Sequence, residues 1–233
     1  MTAPALVVHD LAVVRGGQLV LSGVSLAVAK GEVVAVEGES GAGKTTLLLA
    51  IAGLIASTGR IEASRPAVVF QQHALAPRLT ARANVLVGAL GRVGFWRATL
   101  GRWPALEIAF AEDCLARVGL AGLGGRRADT LSGGQRQRVA IARALAQRAT
   151  VLLADEPVAS LDPANAAAIL GLLRNLAHQE GLAVLICLHQ PELARRFADR
   201  RLALSAAGLT LPSEAIPTAA PRRSGYGRLH PFA

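Results

Sequence analysis

The chain has 233 residues, of which 52% are hydrophobic, 18% charged and 3% aromatic, and 25 Lys and Arg against 16 Asp and Glu give a net charge of +9. That size and apolar fraction suit one domain with a real core and exclude a disordered chain, and no stretch approaches the roughly 18 consecutive apolar residues of a membrane-spanning helix. Two distant cysteines, Cys114 and Cys187, without C-x-x-C spacing, exclude a disulfide framework and a zinc site of ordinary pattern, and read as core thiols.

In chain order, the N-terminus has no basic residue ahead of its short apolar run and reaches Asp10 quickly, so it does not read as a signal peptide and a cytoplasmic chain is expected. Strands are predicted at Ala5–Val8, Leu19–Val28 and Val33–Val36, then a helix from Lys44 to about Ile55, then short β pieces at Arg60–Glu62 and Ala67–Phe70. From Leu75 to Arg127 the pattern is helix-like and irregular, with helical spacing over Ala109–Val118 and a Gly/Arg-rich break at Gly119–Arg127. Beyond Ser132 it alternates: helix Gly134–Gln147, buried strand Val151–Ala154, helix from Asp162-Pro163, buried strand Ala183–Leu188, helix from Pro191. Continuous apolar strands separated by helices predict an α/β fold with a parallel sheet covered on both faces.

The charge balance invites nucleic acid, an anionic membrane or a polyphosphate nucleotide. All the basic residues except Lys30 and Lys44 are arginine, a bias that genome composition explains as well as function does.

The chemistry starts at Gly38-Glu39-Ser40-Gly41-Ala42-Gly43-Lys44-Thr45-Thr46, which satisfies G-x-x-x-x-G-K-[ST] between a predicted strand and a predicted helix. Glycines let the backbone wrap phosphate oxygens while a helix N-terminus adds its dipole. Lys44 is expected on the β- and γ-phosphates and the Thr45 hydroxyl on Mg²⁺. Downstream, the apolar run Val151–Ala154 ends in Asp155 and Glu156, placed for metal binding and for activating water.

Between them, Leu131-Ser132-Gly133-Gly134-Gln135-Arg-Gln-Arg-Val-Ala-Ile-Ala-Arg-Ala-Leu145 resembles the signature of ATP-binding cassette ATPases. The resemblance covers about residues 5 to 205. It implies an α/β P-loop NTPase fold of that type, with a mostly parallel core, an N-terminal antiparallel β part and a helical subdomain. Residues 1–211 would form the ATPase domain, with the helical part inserted at about 72–131, and 212–233 a poorly ordered tail. It implies ATP and Mg²⁺ as cofactors, with Gln71, in Phe70-Gln71, as a glutamine-loop contact to metal and water, and His189 as the switch histidine on the γ-phosphate. Two copies would sandwich two ATPs, with Ser132 to Gln135 reaching the partner's γ-phosphate and Asp162 crossing the interface.

Within the superfamily, Phe70–Thr80, Ala83–Gly91 and Phe95-Trp96-Arg97 look similar to the ATPases of phosphonate importers. That implies permease subunits in the membrane, an external substrate-binding protein, no nucleic-acid partner, and a peripheral place on the cytoplasmic face of the inner membrane. Phe95, Trp96, Trp103 and Phe110 gather half of the aromatics in one short stretch, open to core packing and to a permease-facing surface alike.

The sequence departs from the family twice. Where family members stack an aromatic on adenine, this chain has Arg15, whose guanidinium plane is expected to cover the base. The span Gly53–Phe70 is short, which predicts a trimmed antiparallel edge. The competing readings are an importer ATPase for another anion or nutrient, a cassette ATPase with no transport cargo, and an inactive scaffold, the last opposed by intact Lys44, Asp155, Glu156 and His189.

Overall fold

A computed structural model describes residues 4–63, 66–70, 75–93, 101–205 and 208–210. The expected tail, Gln71, and the Phe95-Trp96 pair lie outside the described residues.

Strands β1 (Pro4–Arg15) and β2 (Gln18–Ala29) form a long hairpin, and β4 (Thr58–Ala63) pairs with the other edge of β1 in a three-stranded antiparallel sheet ordered β2-β1-β4. The first strand is longer than the sequence predicted because it crosses an irregularity at Asp10, where φ is +51° and the amide donates to Ser25 Oγ at 2.9 Å. A bulge lets one strand continue past a break in its apolar alternation. The second sheet has six strands in the order β5-β6-β7-β3-β8-β9, made of β3 (Val33–Glu37), β5 (Pro66–Val69), β6 (Val151–Asp155), β7 (Ala183–Cys187), β8 (Arg200–Ser205) and β9 (Gly208–Thr210). All its pairings are parallel except β8 with β9.

The helices are α1 (Lys44–Ile51), α2 (Ala81–Val87), α3 (Ala105–Arg117), α4 (Gly133–Ala146), α5 (Pro163–Glu180) and α6 (Pro191–Phe197). The first is shorter than the predicted span to Ile55: Gly53 takes φ +69° and its amide bonds back to Ala50 O, a left-handed close that ends the helix. Asp162 starts α5 as expected, accepting from Asn165 N at 3.0 Å with Pro163 in the first turn.

Two cores flank the parallel sheet. One joins its face to the antiparallel sheet through α1, with Leu6, Val8 and Leu11 meeting Val34, Val36, Leu47 and Leu48. The other holds α2 through α6 on the opposite face, with Ile141, Leu145, Ile169 and Leu173 against Leu152, Val184 and Ile186. Helix α1 is therefore clamped between two sheets, and the turn before it is fixed from both sides. Trp103 and Phe110 pack half-buried against the second core. Both cysteines are buried free thiols, and burial pushes Cys114 up to about 11. Among the described residues, no helix is long and apolar enough to cross a membrane.

Candidate functional site

The Gly38–Gly43 turn leaves β3 and enters α1 without an acidic residue in the first helical turn and without a side-chain cap. Its first amides are left to an incoming anion. Two positions require glycine: a Cβ on Gly38 would lie 2.5 Å from the backbone O of Leu204 of β8, and Gly43, packed under Leu21 of β2, takes φ +96°, which a side chain rarely adopts. Both sheets thus mould the loop. Lys44 is 4% exposed and its Nζ donates to the carbonyls of Gly38 and Glu39 at 2.8 and 2.9 Å.

Strand β6 delivers Asp155 to the same end of the sheet, where its Oδ2 accepts from Thr45 Oγ1 at 2.9 Å. Its other oxygen, Oδ1, is buried with no hydrogen-bond partner. A hydroxyl and a half-satisfied carboxylate side by side form a hard-oxygen donor set that fits Mg²⁺ shared with a nucleotide's phosphates. Burial raises the Asp155 carboxyl above its ordinary 3.8, the Thr45 bond opposes this, and the Glu156 charge adds to it. The folded state therefore favours the protonated acid, a contribution present below the ordinary carboxylate value and lost as pH rises through the raised one. At neutral pH the ionised group is a burden on the metal-free fold. Asp155→Asn should raise the metal-free Tm by about 2–4 °C while abolishing Mg²⁺-dependent nucleotide binding; a lower Tm in a melting experiment would contradict this account.

Glu156 follows at φ +45°, its amide donating to Cys187 O at 3.2 Å, so β7 fixes the turn that aims the carboxylate. Its Oε1 is in close contact with His189 Nε2. A partly open cavity of about 30 Å³ lies beside the pair, lined also by Val158, Leu188, Gln190 and Leu193, and space of that size accommodates one water. The geometry sets a carboxylate, an imidazole and a water-sized space next to one another.

A second group forms elsewhere in the chain. Ser132 caps α4, accepting from Gln135 N at 3.2 Å, while Gln135 Oε1 accepts from Ser132 N at 3.0 Å. Gly134 lies against α5, where an added Cβ would meet Asn165 Oδ1 at 3.0 Å, and Gly133 against Leu161. Asp162, held low by the Asn165 amide and side chain, stands in the same neighbourhood. The structure thus brings Lys44, Thr45, Asp155, Glu156 and His189 together, and separately Ser132 to Gln135 with Asp162; among the described residues no hydrogen bond joins the two groups. Arg15 is exposed where β1 turns into β2, paired with Gln18.

A groove of about 670 Å³ opens between the end of α1, β5, α2 and α4, and Val87, Gly88, Gly91 and Arg92 bring the 72–100 stretch, where a groove was expected, into its lining. Leu54, Val68, Phe70 and Val87 supply its apolar walls and Arg92 and Arg143 its cations. Leu54 and Val87 remain 58% and 38% exposed. The α1 side of the groove, Ala52 and Leu54 just past the helix end, was not part of that expectation.

The family model described as ABC transporter matches residues 21–159. The chain is 44% identical over 225 residues to the phosphonates import ATP-binding protein of Maricaulis maris, covering 87% of this chain and 85% of that one. It is 45% identical over 206 residues to the phosphite import ATP-binding protein of Stutzerimonas stutzeri, covering 82% and 74%. Among solved structures, a dimeric post-hydrolysis state of an ATP-binding cassette bound to ADP and Pi superposes with a TM-score of 0.70 at 29% identity, over 88% of this chain and 96% of that one.

Proposed function

The chain belongs to the ATP-binding cassette family of transport ATPases, and from that premise we propose that it is the ATP-hydrolysing subunit of an importer for phosphonates or a related phosphorus oxyanion. The observation that carries the cargo is that relatives matching more than four-fifths of the chain at 44% and 45% identity are named for phosphonate and phosphite import.

Lys44 leaves the carbonyls of Gly38 and Glu39 for the β- and γ-phosphates, which the α1 amides receive. Thr45 and Asp155, with Gln71, would hold Mg²⁺, which when bound would neutralise charge developing on the transferred phosphoryl group. Glu156 takes the proton of the attacking water, and His189 bonds the γ-phosphate. Ser132, Gly133, Gly134 and Gln135 of a second copy close over that phosphate, and Asp162 lies at the seam. Arg15 covers the adenine; Arg15→Ala should weaken ATP affinity severalfold in a direct titration, and an unchanged affinity removes Arg15 from the site. The described helices α2 and α3 belong to the inserted subdomain of about 72–131.

The groove beside α1 seats a helical segment of the permease, with the chain peripheral on the cytoplasmic face of the inner membrane. Its apolar walls, with Leu54 and Val87 exposed, suit the apolar face of an amphipathic helix. Substrate choice rests with the permease and an external binding protein. Reconstituted with its cognate permease, the ATPase rate should rise when the binding protein carries a phosphonate; stimulation only by a sulfonate or an amino acid would replace this cargo with another. Val87→Glu should lose the permease in co-purification and keep MgATP binding.

A further inference from the structure

The central strand β3 is apolar and buried until its last residue, Glu37, which directly precedes Gly38. Its parallel neighbour β8 sets Ala35 opposite Arg201 and Glu37 opposite Ala203. By the two-residue alternation of strands, Arg201 and Glu37 stand on one face. Arg201 is 5% exposed, and its Nε donates to Glu37 Oε1 at 2.6 Å. Two ions in a sheet of valines and leucines cost desolvation energy that an apolar pair would not. The same β8 backbone closes on the phosphate loop, since Leu204 O leaves no room for a Cβ at Gly38.

The chain therefore carries a fixed negative charge one residue ahead of an anion-binding loop, in surroundings where charge is poorly screened. Lys44, the loop's own cation, bonds the Gly38 and Glu39 carbonyls. Among the described residues, Arg201 is the cation that pairs with Glu37.

We propose that Arg201 is a positioning residue for nucleotide binding: paired with Glu37, it cancels the negative charge at the root of the phosphate loop and acts through Glu37 without touching the nucleotide. The inference rests on the nucleotide reading of that loop. It separates Arg201 from a residue that merely holds two strands together, because a strand tie governs stability and leaves the affinity of the folded protein alone.

The test is MgATP affinity by titration with a fluorescent ATP analogue at low salt, with thermal melts of the same preparations. Glu37→Gln keeps the oxygen that accepts from Arg201 Nε and removes the charge, so the Kd should fall by about threefold or more. Arg201→Met leaves the carboxylate uncompensated, so the Kd should rise by about tenfold. The double variant Glu37→Leu with Arg201→Met should return to within about threefold of the parent, since neither charge remains. The proposal is overturned if Glu37→Gln leaves the Kd unchanged or weakens it, or if Arg201→Met lowers Tm at parental Kd. Should Arg201→Met fail to fold, Glu37→Gln and the double variant decide. A parent chain that bound no MgATP would overturn the nucleotide reading itself, an outcome distinct from these.

Discussion

Replacing Glu156 by Gln is expected to cut ATP hydrolysis by about 100-fold or more while leaving MgATP binding intact, the loss typical of a removed general base. The amide has the shape of the carboxylate, and the features that position the residue do not depend on its charge. Its backbone sits at φ +45° and its N–H is held by Cys187 O. A non-glycine residue in that conformation costs about 1–3 kcal/mol, and such strain collects at functional sites. What Gln cannot do is accept the proton of a water in the space next to His189. With binding intact and turnover stopped, two copies should stay closed on ATP, and size-exclusion chromatography should show an ATP-dependent dimer. Turnover above about a tenth of the parental rate would remove Glu156 from the role of base.

The second large effect is at Lys44. Lys44→Met should weaken ATP binding by about 100-fold or more, because two charge-assisted hydrogen bonds to phosphate oxygens are each worth about 1.5–3 kcal/mol. The same change removes the donor now shared by the Gly38 and Glu39 carbonyls. Without nucleotide the variant should therefore melt a few degrees lower, since the buried ammonium also braces the turn. Melting and titration separate the two jobs: a lowered Tm with parental affinity would reduce Lys44 to a brace.

The phosphate loop was legible in the sequence because its requirements are local. A strand, five residues of turn chemistry from Gly38 to Ala42, Gly43, Lys44 and a helix follow one another along the chain, and the Thr45–Asp155 contact follows once a buried strand is seen to end in two acids. The Asp162-Pro163 start and the Ser132 cap could be read for the same reason. Less legible was whatever depends on which strands become neighbours. Strand β8 begins Arg200-Arg201, a pair that hides a strand by composition, and its place beside β3 is a property of sheet order. The Glu37–Arg201 bond, 164 positions apart in sequence, was hidden with it. The early end of α1 turned on Gly53 taking a left-handed φ, which glycine permits and does not require. Of the aromatic cluster, the described Trp103 and Phe110 pack against the core, and Phe110 lies under Arg148, whose guanidinium carbon is 5.0 Å from the ring centroid.

Helix α1 has eight residues, a length of about 12 Å. One end presents Lys44 and Thr45, and just past the other, Ala52 and Leu54 form a wall of the groove. Pinned between two sheets, so short a rod cannot flex along its axis. The groove wall and the phosphate loop are thus the two ends of one rigid element about 12 Å long.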